Sequence, residues 1–247
     1  MSAKRHFEQR SDLYQKYRPT YPPELAHILA SLSPDRAVAI DIGCGTGQFT
    51  SLLAREFTKV IGIDISSSQI SGSIPHPNIS YQCRPAEETG LEESSADLII
   101  AAQAAHWFDL PAFYKEVHRI AKPGGILALI SYGVFHLEGP VNERVQRFYK
   151  TEIGPYWPAE RTHVEAGYQS LPFPFTERQV NAPPITRKWT YAELTGYIGT
   201  WSACKQAAKA GHSDLFTTFA ADLKPLWGDP ISRRSVQWPI NLRIGKI

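Results

Sequence analysis

Ala37-Val38-Ala39-Ile40-Asp41-Ile42-Gly43-Cys44-Gly45-Thr46-Gly47 is the stretch on which the reading of this chain turns. Its first six residues are apolar except for one acid, and a glycine-rich word follows them. A short apolar run that meets a turn signal reads as a strand buried on both faces. Phe49, Leu52, Leu53 and Phe57 then fall on one helical face,. Val60-Ile61-Gly62-Ile63-Asp64 is a second buried strand. A strand, a glycine turn, a helix and another strand are the opening of a parallel α/β sheet.

The same rhythm continues outward. Ile79–Cys83 is a weaker strand and Ala96–Ala102 a strong one. A helix carrying Leu110, Phe113, Tyr114 and Val117 is expected to stop at Lys122-Pro123-Gly124-Gly125, before a fifth strand at Ile126–Ser131,. Upstream, Leu25, Ile28, Leu29 and Leu32 mark a helix that Ser33-Pro34-Asp35 ends. Continuous apolar strands between amphipathic helices predict a parallel sheet with helices on both faces, its core at 34–132. Residues 1–33 supply an N-terminal cap segment and the first helix. Residues 133–174, rich in proline and aromatics, read as a cap insertion over the acceptor site. Residues 175–247 are expected to complete the same domain. They hold a sixth strand within 175–183 and a capping box at Thr190-Tyr191-Ala192-Glu193,. Its helix shows Leu194, Tyr197, Ile198 and Trp201, and another shows Phe216, Phe219, Leu223 and Leu226. The chain closes on one alternating strand, with Val236, Trp238, Ile240, Leu242 and Ile244 on a single face.

At 247 residues the chain suits one full domain carrying an elaboration,. A net charge of +2 argues against nucleic acid as a partner and against a polybasic membrane anchor,. Cys44, Cys83 and Cys204 are far apart, with no thiolate metal site and no disulfide framework among them,. No apolar stretch approaches the roughly 20 residues of a membrane helix, and nothing near Met1 resembles a secretion signal. A cytoplasmic protein is expected.

Ligands of an open parallel sheet bind at the carboxyl ends of its strands. There, glycines let backbone approach a ligand with no Cβ in the way. Asp64, ending the second strand, can accept hydrogen bonds from both hydroxyls of a ribose, so an adenosine-containing ligand is expected. The dinucleotide pattern G-x-G-x-x-G/A fails at Gln48, and no Lys-Ser/Thr follows to hold a triphosphate,. The word acid-x-Gly-x-Gly-x-Gly resembles that of class I S-adenosylmethionine (SAM) methyltransferases. SAM is a sulfonium without phosphates, so acceptors for its ribose and ammonium serve it better than a phosphate nest. Asp41 is placed to hold the loop and the ammonium end, or to fix the loop without touching ligand.

Further words resemble one subgroup, the trans-aconitate methyltransferase-like enzymes of the methyltransferase type 11 class. They are Tyr17-Arg18-Pro19-Thr20-Tyr21-Pro22, Ala105-His106-Trp107-Phe108-Asp109, Gly154-Pro155-Tyr156-Trp157 with Arg161, and Tyr197 through Thr200-Trp201-Ser202. The resemblance implies a Rossmann-like seven-stranded, mostly parallel sheet with strand 7 antiparallel, SAM as methyl donor, and a small-molecule acceptor, often a carboxylate. It implies a cofactor set of Asp41, Gly43, Gly45, Gly47, Asp64, Ile65, Ala86, Glu87 and Gln103, with Tyr14 and Arg18 from the N-terminal segment. One departure stands out: where relatives often carry an acid before Ala-Glu, this chain has Pro85. Adenine recognition then falls to the backbone at Ala86, with Glu87 either joining it or standing as a solvated loop acid.

Methyl transfer from a sulfonium is an in-line displacement, so alignment and exclusion of water are the main tasks. A carboxylate acceptor is already a nucleophile, whereas a hydroxyl or carbon acceptor needs a base. His106 is the candidate base, with a packing histidine as the alternative. Trp107 stands beside it. Arg161 is the candidate anchor for an anionic acceptor, with Arg18, Arg187 and Lys188 as further cations. Tyr156, Trp157, Trp189 and Trp201 either roof the pocket or fill the core. The expected activity is methylation of a carboxylate oxygen. A carbon methyltransferase of the quinone or sterol kind and a non-catalytic SAM-binding module are the alternatives.

Overall fold

Val38–Ile42 (β1) extends because its isoleucines and alanine are buried on both sides of a sheet. The computed structural model describes residues 19–247, so Tyr14, Tyr17 and Arg18 lie outside the described residues. β2 (Lys59–Asp64), β3 (Ile79–Cys83), β4 (Ala96–Ala102) and β5 (Ala121–Tyr132) follow in parallel, with a helix in every connection except the loop between β3 and β4. β6 (Thr176–Arg178), β7 (Ile185–Trp189), β8 (Arg234–Trp238) and β9 (Ile240–Lys246) complete the strands. Seven of them form one sheet in the order β3-β2-β1-β4-β5-β9-β6. β9 runs antiparallel to both its neighbours. The Rossmann-like fold expected above is therefore present, with its single antiparallel strand.

The described chain divides into two compact units. The larger one comprises Thr20–Gly133, Thr162–Pro184 and Pro239–Ile247, and it holds the seven-stranded sheet. Its helices include α1 (Pro23–Leu32), α2 (Thr50–Leu53), α3 (Ser67–Ser71) and α4 (Leu110–Ile120). On one face of the sheet, Ile40, Ile42, Ile61, Ile63, Ile99, Leu127 and Leu129 pack with Phe113, Tyr114, Val117 and Ile120 of α4 and with Tyr168. Buried Asp97 ties strand ends together, accepting from the Val38 N–H at 2.8 Å and from Lys122 Nζ at 2.8 and 2.9 Å. Glu116 of α4 accepts from the Thr89 N–H and hydroxyl and from Arg119, which fixes the loop after β3. Those hydrogen bonds, led by the one from Arg119, hold the Glu116 carboxyl down at about 2,.

The smaller unit comprises Val134–Arg161 and Ile185–Trp238. It contains α5 (Pro140–Arg147), α6 (Tyr191–Gly199), α7 (Ser202–Lys209) and α8 (Asp214–Trp227), with β7 and β8 paired antiparallel. Thr190 and Glu193 form the anticipated capping box at the start of α6,.

Two expectations need correction. The terminal stretch is not one alternating strand. Pro239 breaks it into β8 and β9, which belong to different sheets, because proline has no N–H to continue a ladder,. Val236 and Trp238 are buried, but Ile240 and Leu242 are only half-buried, whereas Arg243 is buried beside Ile244. Lys122–Gly125 does not separate α4 from a later strand either. The helix ends at Ile120 and β5 begins at Ala121, with the glycines absorbed in an irregularity of the β4–β5 pairing,. On α8 the buried positions are Phe219, Leu223 and Trp227, and Leu226 is exposed.

Candidate active site

The loop between β1 and α2 leaves the sheet at its carboxyl edge. Gly43, Gly45 and Gly47 all take positive φ (73°, 56° and 84°). Their surroundings differ. A Cβ at Gly43 would lie 2.4 Å from the Ala104 Cβ, and one at Gly47 would lie 2.1 Å from the Tyr81 hydroxyl. Among the described residues, a Cβ at Gly45 would meet only Gln69 Oε1, at 3.8 Å. The outer glycines thus admit neighbouring side chains, while the middle one leaves a bare backbone face open to a ligand.

Asp64 holds this loop in shape. Its Oδ2 accepts from the Gly45 N–H and its Oδ1 from the Ser66 N–H, each at 2.8 Å. Each carboxylate oxygen can accept a second hydrogen bond, so the group retains capacity for hydroxyls. Ile65 beside it is 75% exposed, an unusual setting for a large apolar side chain and a surface on which a flat ring can lie,. Asp41 is buried, and its Oδ2 accepts from the Thr50 hydroxyl at 2.7 Å. Its Oδ1 has no hydrogen-bond partner among the described residues. Burial pushes the Asp41 carboxyl up to about 7, against the opposing Thr50 bond and with a smaller push from Asp64,.

Ala86 is buried, in the turn after β3, and the half-buried Glu87 accepts from the Asp109 N–H at 2.9 Å, where α4 begins. Gln103 directly follows β4 at φ 58°, a left-handed conformation that glycine, asparagine and aspartate enter far more readily,. Its Nε2 donates to the Tyr132 carbonyl at 2.8 Å. Backbone strain of this kind gathers at functional sites. His106 and Trp107 follow in a 3-10 turn, Ala105–Trp107. Trp107 is 63% exposed, while His106 is half-buried with Nδ1 2.8 Å from the Tyr168 hydroxyl. The structure therefore brings the glycine loop, Asp41, Asp64 and the β4 exit together at one sheet edge.

Arg161 belongs to the smaller unit. Its Nε donates to the Tyr149 hydroxyl at 3.0 Å, and its guanidinium lies 4.9 Å from the centre of the Trp157 ring,. Trp189 and Trp201 are buried there, in ring contact with Tyr197. Arg187 and Lys188 sit on β7. The residues that sequence reasoning missed are Tyr168 and Arg243. Neither lies in a recognisable word, and nothing local signals that they meet His106 or each other's backbone.

The comparisons with known proteins bear on this edge directly. The family profile described as a methyltransferase domain matches residues 40–129, the stretch that holds the loop, both aspartates and His106. A Dictyostelium discoideum protein described as a methyltransferase is 35% identical over 213 residues, covering 85% of this chain and 81% of its own. This chain belongs to the class I SAM-dependent methyltransferases. A solved structure from Anaeromyxobacter dehalogenans, described as a type II methyltransferase, has a TM-score of 0.87 at 41% identity and covers 93% of this chain and 97% of its own. The malonyl-[acyl-carrier protein] O-methyltransferase of a Marinomonas species is 31% identical over 141 residues, 53% of this chain and 52% of its own. SAM is accordingly the methyltransferase's cofactor. The residues fit it: an open glycine backbone, an acid at the end of β2, and a buried carboxylate oxygen with no donor among the described residues suit a phosphate-free cationic nucleoside. No helix among the described residues is long and apolar enough to cross a membrane.

Proposed function

We propose that the enzyme transfers the SAM methyl group to a carboxylate oxygen of a small organic acid, of the trans-aconitate kind, giving a methyl ester. The observation that carries this reading is the engagement of His106 Nδ1 by Tyr168 at the exit of β4. One ring nitrogen is already committed to the protein, and a carboxylate needs no proton removed before it attacks. The Marinomonas relative, named for O-methylation of a malonyl group, supports an acid as acceptor. SAM, when bound, supplies the electrophilic methyl and a neutral thioether leaving group.

The chain's own residues align the partners. Asp64 holds the ribose hydroxyls, with Ile65 and the Ala86–Glu87 turn beside the adenine. Gly43, Gly45 and Gly47 shape the backbone along the nucleoside. Asp41 draws the ammonium end, and Gln103 meets the methionine portion. Arg161 is the proposed anchor for the acceptor's carboxylate, since a guanidinium matches a carboxylate in two hydrogen bonds. Tyr14 and Arg18 are reserved for the donor's carboxylate. The three free thiols favour a reducing compartment, and we place the reaction in the cytoplasm,.

The reading is tested by measuring S-adenosylhomocysteine release with a panel of acceptors, beginning with small di- and tricarboxylic acids. Turnover with a carboxylic acid and a base-labile methyl ester as product is the expected result. Turnover confined to phenols, amines or carbon nucleophiles would refute it. Asp64→Ala is expected to weaken SAM binding by about 1–3 kcal/mol, because ribose hydroxyls lose a charged acceptor. Calorimetric titration checks this, and an unchanged affinity would mean that the ribose lies elsewhere.

A further inference from the structure

Tyr81 of β3 stands opposite Gly62 of β2, and Gly62 stands opposite Asp41 of β1. The tyrosine ring takes the space that a side chain at Gly62 would need: a Cβ there would lie 2.6 Å from Tyr81 Cδ1 and 2.7 Å from its Cε1. The ring is thereby laid across β2, and its hydroxyl arrives against Gly47 of the glycine loop. That hydroxyl donates to the Ile74 carbonyl at 2.9 Å, and the Ile74 N–H donates to the Thr46 carbonyl at 3.0 Å. One residue of the α3–β3 connection is held by Tyr81 at its carbonyl and holds the glycine loop through its amide. The connection is itself stiff. Pro75 and Pro77 fix their own φ, and Asn78 Nδ2 donates to the Ala54 and Phe57 carbonyls, each at 2.9 Å,. Burial pushes the Tyr81 phenol up to about 12, with Cys44 and Asp41 adding to the push and a hydrogen bond with Thr50 opposing it,. The group therefore keeps its proton at neutral pH and remains a donor.

We propose that Tyr81 is a positioning residue for the methyl donor: it props Ile74 against Thr46 and so keeps the glycine loop in its receiving shape before SAM arrives. The inference rests on the donor lying along that loop, and not on the identity of the acceptor. Gly45 and Gly47 are tied from within the motif and its strands, by the bond from the Gly45 N–H to Asp64 and by that from the Gly47 N–H to the Cys44 carbonyl at 3.0 Å. The tie at Thr46 comes from outside the motif and depends on the α3–β3 connection. A loop that is already ordered takes nothing from the binding energy for its own ordering. Without the phenol hydroxyl, the Ile74 carbonyl turns to water, its amide loosens from Thr46, and the neighbouring glycines sample other conformations. Tyr81 meets no reacting atom in this scheme, so its loss falls on donor affinity and spares turnover at saturating SAM.

The test uses Tyr81→Phe in the full chain, which keeps the ring over Gly62 and removes only the hydroxyl. Calorimetric titration with SAM is expected to show an affinity about fivefold weaker, the size of one modest hydrogen bond. Amide hydrogen exchange at Ile74, followed by NMR, is expected to quicken in the variant and to slow in the wild type when S-adenosylhomocysteine is added. Wild-type affinity in a folded Tyr81→Phe protein overturns the proposal, since a merely structural tyrosine would move the melting temperature alone. Exchange at Ile74 that S-adenosylhomocysteine leaves unchanged in the wild type overturns it with no variant at all, because coupling between the donor and this tie must run both ways. Asp64→Ala in the same titration separates two failures. Weaker binding in Asp64→Ala beside full affinity in Tyr81→Phe ends the role of Tyr81 alone. Full affinity in both means that the donor lies elsewhere, and the inference falls with that reading.

Discussion

Replacing Arg243 with methionine is expected to remove about 3 kcal/mol of folding free energy. Arg243 is 7% exposed, and it donates to two backbone carbonyls besides Glu177. Methionine fills much of the volume but strands both carbonyls, at roughly 1–3 kcal/mol each when no water reaches them. Loss of one partner of a buried ion pair typically costs about 3–5 kcal/mol. Glu177 is 27% exposed, so it can rehydrate, and the lower end of that range applies. Urea unfolding followed by circular dichroism measures the change. In thermal terms, 1 kcal/mol is worth roughly 2–4 °C in a chain of this size. A loss below about 1 kcal/mol would show that the clamp on the 168–171 turn is dispensable.

The second large effect concerns Asp41 and runs with pH. Its carboxyl is raised in the folded protein to about 7 from an ordinary value of 3.8, chiefly by burial. Between those values the native state keeps a proton that the unfolded chain has released. The native state binds more protons there, so stability falls as pH rises. The contribution is fully present below about 4 and lost on passing about 7, a change on the order of 4 kcal/mol at 1.36 kcal/mol per unit. Asp41→Asn keeps an acceptor for the Thr50 hydroxyl and removes the titration. The stability difference between pH 5 and pH 8 should therefore be smaller in the variant than in the wild type, as read by denaturant unfolding at the two pH values. Equal differences would mean that Asp41 is ionised throughout. Because our reading brings the SAM ammonium toward this group, donor binding near pH 6 should expel its proton. Titrations in buffers of different ionisation heat would show that release in the wild type and not in Asp41→Asn.

Much of the fold could be read locally. β4 was expected at the bounds it takes, and β1 and β2 lie within a residue of theirs, because each is a short apolar run closed by an acid, a glycine or a turn. The capping box at Thr190 was equally legible, since both partners lie within one turn. What failed was long-range. The alternation from Val236 to Ile244 looks continuous, and only the pairing partners reveal that Pro239 passes the chain from one sheet to another. The glycine loop and its two aspartates stood out because the chemistry and the local turn coincide in one word. The different duties of its three glycines did not, because Ala104 and Tyr81 arrive from distant strands. The Arg243–Tyr168–His106 chain links β9, a turn and the exit of β4, and no periodicity marks such a relay. Glu87 offered itself as an adenine contact, and the structure also engages it in closing the start of α4.

The place of β9 in the sheet governs how the molecule can be made. Residues 240–246 fill an interior slot between β5 and β6, and among the described residues β6 pairs with no other strand. A ribosome delivers those residues after the other described strands. Until then β5 has a bare margin, and the turn that carries Tyr168 waits for Arg243 to fasten it. Synthesis halted before residue 240 should leave a product that cannot close its own sheet and is exposed to proteolysis. Insertions meant to be harmless belong in the tip of a surface loop, well away from this keystone.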